Sequence, residues 1–67
     1  MRIKFRHHAL VRMAERGISV TEIERAIKSG SKYVQKPSKI VAEYAYFTVV
    51  YKKKGDTFFV ITVKPRW

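Results

Sequence analysis

The apolar pattern of this chain changes from a helical to a strand period at Gly30. Before this glycine, apolar residues recur every three or four positions; after it, β-branched and aromatic residues dominate. Because the chain has 67 residues and no cysteine, packing alone must stabilise the fold around one modest core. We therefore expect a single α+β domain over residues 1–67, with helices before the glycine and strands after it.

Two short helices are predicted in the first half of the chain. The first covers residues 7–16 and ends at Gly17, a typical C-terminal cap. Ser19 and Glu22 have the spacing of a capping box, which predicts a second helix that ends at Gly30. The apolar stripe of the first helix consists of Ala9, Leu10, Met13 and Ala14.

The second half predicts three strands, at residues 32–35, 39–51 and 56–64. Short polar turns connect these strands, so the sheet should be an antiparallel meander. The two N-terminal helices can bury their apolar stripes on one face of this three-stranded sheet. The expected fold is therefore α+β with the order ααβββ, and the opposite face of the sheet is left open.

The last predicted hairpin decides which side chains lie on that open face. A three-residue loop at residues 53–55 would place the even-numbered positions of both flanking strands there. The odd-numbered set would then face the helices: Ala45, Phe47, Val49, Phe59, Ile61 and Val63. The even-numbered set would form an RNA-binding surface of aromatic rings and cations: Tyr44, Tyr46, Thr48, Thr62, Lys64 and Arg66. In the alternative, Tyr44 and Tyr46 cover an apolar face or meet a second protein chain.

The charge of the chain points to a polyanionic partner. Fifteen Lys and Arg residues against five Asp and Glu residues give a formal charge of +10, which a compact protein tolerates at a cost in self-repulsion. RNA is the leading candidate, because cations that neutralise phosphates gain affinity from counterion release. The basic residues are spread along the chain rather than gathered beside one apolar helix face, which argues against a membrane partner. No segment has the length of a membrane span or the composition of a secretory signal, so a cytoplasmic protein is expected.

Three polar residues of the first predicted helix are suited to phosphodiester chemistry. His8, Arg12 and Arg16 are four residues apart and line one side of that helix. A neutral imidazole can accept the proton of a 2′-hydroxyl, and guanidinium groups can stabilise negative charge on phosphate, so these are the candidate catalytic residues. In the alternative, this side of the helix is a solvated face on which Glu15 and Glu22 pair with the arginines.

The segment His8–Ser19, with the sequence HALVRMAERGIS, resembles a bacterial and archaeal family of domains of unknown function that has an H-A-x-x-R-M-x-x-R-G-I pattern. The strand ending VITV at residues 60–63 is also similar. That family in turn is similar to the RelE and ParE type toxins of toxin–antitoxin systems, many of which are metal-independent ribonucleases. The resemblance implies a RelE-like fold, with His8, Arg12 and Arg16 at motif positions and Thr62 at a matching strand position.

Three functions stay open at this point. The first is a toxin-like endoribonuclease in which the RNA 2′-hydroxyl attacks the adjacent phosphate. The second is an RNA-binding module without catalysis, and the third is an inactive toxin-like domain that binds a protein partner. The expected partners are RNA, an acidic antitoxin protein and, as a homodimer, a second copy. Neither a metal ion nor a small-molecule cofactor is expected, because His7 and His8 point apart on a helix and no glycine-rich phosphate loop is present.

Overall fold

In the computed structural model, which describes residues 1–66, two helices cover one face of a five-stranded mixed sheet. The elements along the chain are β1 (Arg2–Phe5), α1 (His7–Arg16), α2 (Val20–Ser29), β2 (Ser31–Gln35), β3 (Lys39–Tyr44), β4 (Phe47–Lys54) and β5 (Thr57–Pro65). Across the sheet the strand order is β1-β5-β4-β3-β2. Strand β1 runs parallel to β5, and the other neighbouring strands are antiparallel.

The predicted α+β class is confirmed, whereas the predicted RelE-like ααβββ fold with three antiparallel strands is wrong. One reason is β1, which precedes both helices and pairs with the last strand of the chain. The side chains of Ile3 and Phe5 point toward the helices and pack against the core. The alternation of Arg2, Ile3, Lys4 and Phe5 has the shortest length at which such a pattern indicates a strand. The two helices therefore follow an edge strand and do not begin the fold.

The second reason is that the single strand predicted at residues 39–51 is two strands. A hairpin turn at Ala45 and Tyr46 joins β3 to β4, and Tyr44 pairs with Phe47 across it. Ala45 has φ 52°, a left-handed conformation that glycine and asparagine adopt far more often than alanine. Because the turn contains neither of these residues nor proline, the sequence gives no turn signal at this point.

The β4–β5 hairpin has a two-residue turn in place of the predicted three-residue loop. Lys54 lies opposite Thr57, and Gly55 takes φ 60° at the first turn position, where a two-residue hairpin favours glycine. The shorter turn shifts the pairing by one residue. Near the turn, odd-numbered positions of β4 therefore share a face with even-numbered positions of β5.

A β-bulge reverses this shift farther along the same hairpin. Tyr51 pairs with Val60 and Val50 pairs with Thr62, so Ile61 is the extra residue. Beyond the bulge, even-numbered residues again lie opposite even-numbered residues, as predicted. Phe59 and Ile61, which the uniform alternation assigned to the core, consequently lie on the face away from the helices.

The core lies between the helices and the other face of the sheet. Helix α1 packs on β5, and α2 packs on β3 and β4. The helix caps predicted at Gly17 and Ser19 are confirmed, including the capping box with Glu22. Leu10, predicted to belong to the apolar stripe of α1, is 47% exposed. The buried cluster comprises Ala9, Met13, Ile18, Ile23, Ala26, Ile27, Ala42, Phe47, Val49, Tyr51, Val60 and Val63.

Gly30 lets the end of α2 approach β3 closely. A Cβ atom at this position would lie 2.6 Å from the carbonyl oxygen of Ala26 and 2.8 Å from that of Glu43. Both are backbone atoms, so a side chain would force helix and strand apart. The glycine that marks the change of period in the sequence thus also fixes the spacing between the two layers.

Candidate nucleic-acid interface

The sheet face that neither helix covers, here called the open face, carries a basic groove along β5. The groove has a volume of about 370 Å³. Four cations and two apolar side chains define it, and Phe5 lies beside them. We use the term basic groove for the site formed by Lys4, Arg6, Lys52, Lys54, Phe59 and Ile61.

The register of three adjacent strands places an aromatic ring between two rows of cations. Lys4 of β1 pairs with Phe59 of β5, and Phe59 pairs with Lys52 of β4. Since neighbouring strands are about 4.8 Å apart, the backbones of the two lysines lie roughly 10 Å apart with the phenylalanine between them. Arg6 continues the β1 row, because its N–H donates to the Val60 carbonyl at 3.0 Å. Lys54 continues the β4 row.

The positive charge of the basic groove is not neutralised by carboxylates. Within residues 1–66 the only ion pair joins Arg12 and Glu15 on α1, with an N–O distance of 3.4 Å. Uncompensated cations around a concave surface raise the local concentration of anions. Together with the apolar floor, this arrangement suits a ligand that has both negative charges and flat apolar rings.

Two of the predicted RNA-binding residues extend this surface. Thr62 pairs with Val50 and Lys64 pairs with Thr48, so both lie on the open face, and the predicted face is confirmed for them. Lys64 is exposed. The residues paired with Thr62 and Lys64 on β4, Val50 and Thr48, are buried. Thr62 and Lys64 therefore follow the basic groove along β5 toward the end of the strand.

Arg66, the second cation predicted for the same surface, interacts with the β3–β4 turn. Its guanidinium group donates to the Ala45 carbonyl at 3.1 Å, and its backbone N–H donates to the Tyr46 carbonyl at 3.3 Å. Arg66 is not among the residues that line the basic groove.

The two tyrosines predicted to stack with RNA do not lie on the open face. Tyr44 packs against the core, and its ring meets that of Phe47 edge to face at 6.1 Å between centroids. Tyr46 lies in the turn, also against Phe47, with its hydroxyl donating to Glu22 Oε2 at 3.3 Å. The unexpected turn at Ala45 changes the alternation and places both rings on the helix side. Their predicted position as stacking platforms on the open face is therefore wrong.

The contact between Tyr46 and Glu22 ties the β3–β4 turn to the capping box of α2. The pKa of Glu22 lies below its ordinary value of 4.5, mainly because the Ser19 backbone N–H donates to it. The hydroxyl groups of Ser19 and Tyr46 and the charge of Arg25 lower the pKa further, against partial desolvation. The pKa of Tyr46 is raised, first by desolvation and then by the Glu22 carboxylate.

This capping contact predicts a pH-dependent difference between the wild type and Glu22→Gln. The folded-state pKa of Glu22 is below the unfolded value, so its contribution to stability is present above pH 4.5 and lost as the pH falls through the lowered pKa. We expect the wild type to be more stable at neutral pH and the difference to vanish in acid. Urea unfolding midpoints measured across this range test the expectation. A difference that is the same at every pH would contradict it.

The three candidate catalytic residues lie on α1, in the layer opposite the open face. Arg12 Nε donates to His8 Nε2 at 3.5 Å, and Arg12 also pairs with Glu15. His8 and Arg16 are exposed. Arg16 has no hydrogen bond to either of the other two among residues 1–66. The structure therefore brings His8 and Arg12 together, and the alternative pairing of Glu15 with an arginine is present as well.

Sequence reasoning missed all six residues of the basic groove. The sequence does contain one signal, namely that Arg2, Lys4 and Arg6 alternate with Ile3 and Phe5, as expected for an amphipathic strand. No comparable signal marks the bulge at Ile61.

Two other features, a metal-binding cluster and a membrane-spanning helix, are absent from residues 1–66. Among residues 1–66, no three side chains of the metal-binding types come together. None of the helices in this part of the chain has the length and apolar character needed to cross a membrane.

Residues 5–64 match a family model described as Domain of unknown function (DUF4258). The chain belongs to this family. The match covers α1, α2 and every strand from β2 to β4, so the DUF4258 region includes both the His8–Arg12 pair and most of the basic groove. No curated protein and no solved structure gave a significant match. The likeness to RelE and ParE type toxins stays a prediction.

Proposed function

We propose that this DUF4258 protein binds single-stranded RNA on the open face of its sheet. The observation that carries the proposal is the row Lys4–Phe59–Lys52, in which cations flank an aromatic ring in the basic groove. An unpaired base can stack on the ring while the phosphates on either side of it meet the cations. The net charge of +10 adds long-range attraction to a polyanion.

A single strand fits this site better than a duplex. In A-form RNA the bases are stacked inside the helix and its major groove is too narrow for side chains to reach them, so an aromatic floor has no face to stack on. In a single strand the bases can turn out of the chain. Each base that stacks on an aromatic side chain contributes roughly 1–3 kcal/mol, largely independent of sequence.

A binding titration at several salt concentrations tests the proposal. An unstructured RNA of about 12 nucleotides is within the range that one binding surface covers. Each phosphate contact with a single strand contributes roughly −0.7 to the slope of the logarithm of affinity against the logarithm of salt concentration. If all four groove cations contact phosphates, this slope should be about −3. An abasic strand of equal length should bind more weakly at the same slope. Equal affinity for the two strands would refute stacking, and absence of salt-sensitive binding would refute the proposal.

A second candidate function is metal-independent RNA cleavage, and the contact between His8 and Arg12 favours it. His8 Nε2 would take the proton of a 2′-hydroxyl while the 2′-oxygen bonds to phosphorus and the bond to the 5′-oxygen breaks. The imidazolium would return the proton to the departing 5′-oxygen, and Arg12 and Arg16 would stabilise the phosphorane. RNA must first displace the Arg12 N–H from the lone pair of His8. As a toxin, such a ribonuclease would have an acidic antitoxin as its protein partner.

Incubation of labelled RNA with the protein in EDTA separates the two candidates. Cleavage predicts a 2′,3′-cyclic phosphate on one product and a 5′-hydroxyl on the other, with loss of activity of about 100-fold or more in His8→Ala if imidazole is the general base. His7→Ala is the matched control, because His7 is the adjacent imidazole on the same helix and is also exposed. Intact RNA with normal binding would reject cleavage and leave the binding proposal standing. Cleavage that survives in His8→Ala would reject the assigned base.

A further inference from the structure

Strand β2 is a bare sheet edge at the opposite side of the sheet from the basic groove. It pairs only with β3, and no strand of the described chain lies on its outer side. All five of its residues are exposed, and the helices pack on β3, β4 and β5 instead. An edge of this kind presents unpaired backbone N–H and C=O groups that can pair with another extended chain.

The side chains of β2 are more apolar than an edge exposed to water requires. Val34 is 69% exposed and Tyr33 is 52% exposed, and consecutive strand residues point to opposite faces. Each face of the edge therefore presents one large apolar side chain. Natural sheets usually protect such an edge with charges directed outward, but the Lys32 ammonium group donates back to the Gly30 carbonyl at 3.1 Å. The apolar pair stays uncovered.

The charge around this edge selects the kind of chain that can cover it. Residues 31–39 contain Lys32, Lys36 and Lys39 and no acidic residue. The only carboxylate paired with β2 is that of Glu43, opposite Ser31 at the start of the strand. A second copy of this protein would bring another +10 charge and an equally basic edge. An acidic chain would instead be attracted.

We propose that β2 is the docking edge for an acidic, extended segment of a partner protein, which binds as a sixth strand. The backbone groups of the partner would pair with the outer side of β2, and two consecutive apolar side chains of the partner, one on each face, would cover Tyr33 and Val34. Its carboxylates would lie near the lysines. The surface is separate from the basic groove, because β3 lies between β2 and the three strands that form the groove.

The probe for this docking edge is a blocked seven-residue peptide with two adjacent valines in the middle and glutamate at the other positions, and the charge control has lysine in place of glutamate. We expect the acidic peptide to slow hydrogen exchange of the β2 amides and the basic peptide to leave it unchanged. Val34→Glu should weaken binding at least about 10-fold, because it places a like charge against the peptide and removes the apolar contact. The variant should bind RNA as the wild type does.

Val20→Glu is the matched control for this substitution. Val20 is 49% exposed at the start of α2, where a carboxylate is favourable, and the change in net charge is the same. Peptide affinity within about twofold of the wild type in this variant supports docking at β2. Equal weakening in both variants, protection at residues of the basic groove, or no binding at low salt would overturn the proposal. A wild-type dimer in sedimentation that Val34→Glu converts to a monomer would overturn it in favour of a second copy.

Discussion

Replacing Lys4 and Lys52 together by alanine is expected to weaken RNA binding about 100-fold, because a charge-assisted contact is worth roughly 1.5 kcal/mol and two are lost. These lysines flank Phe59 on neighbouring strands, so the double substitution removes one cation from each side of the basic groove. The salt dependence should change as well, with a slope smaller by roughly 1.4 in absolute value. Titrations at a series of salt concentrations measure both quantities.

The control for the charge itself is a variant with alanine at Lys28 and Lys36. Both residues are exposed, and neither lines the basic groove, so the net charge falls by the same amount elsewhere on the protein. We expect a loss of affinity well below that of the first double variant. If the two double variants bind RNA equally weakly, the attraction is a property of the total charge and the groove has no special role.

Phe59→Ala is expected to weaken RNA binding about 30-fold with the salt slope unchanged, because the loss of base stacking costs roughly 2 kcal/mol and releases no counterion. Phe59 is only partly exposed on the open face, outside the cluster that packs under the helices. The fold should therefore tolerate the truncation. Circular dichroism before each titration verifies this.

Tyr33→Ala is the matched control for the loss of an aromatic ring on the same face. Tyr33 lies on the edge strand β2, distant from the basic groove, where it pairs with Val41 and is 52% exposed. The Tyr33→Ala variant should bind RNA like the wild type. A Phe59→Trp variant should keep most of the affinity that Phe59→Ala loses. Equal losses at Tyr33 and Phe59 would mean that bases contact the face without a preferred site.

The helical half of the fold could be predicted from sequence because its signals are local. The capping box at Ser19 and Glu22 and the glycine after Arg16 each act within one helical turn, and the structure confirms both. Strands depend on partners far away in sequence. Strand β1 is stabilised by β5, more than fifty positions later, and its own four residues contain little evidence of that pairing.

The candidate site was misplaced because two small irregularities decide which side chains face solvent. A turn built on Ala45 places Tyr44 and Tyr46 on the helix side, and the two-residue turn at Gly55 places Phe59 on the open face. A strand has a period of two, so a single inserted residue reverses every later position. Thr62 and Lys64 were placed correctly because the short hairpin turn and the bulge cancel beyond Ile61. The prediction of an RNA partner rests on the net charge, which does not depend on the strand register.

Backbone amide chemical shifts during an RNA titration test the central claim most directly. With labelled protein and an unstructured single strand, we expect the largest changes at residues 4–6, 52–54 and 57–61, the segments that form the basic groove. Smaller changes should follow along β5 to Lys64. Changes confined to α1 around His8 and Arg12, or to the turn at Tyr46, with the groove amides unmoved, would contradict the assignment of RNA binding to the open face.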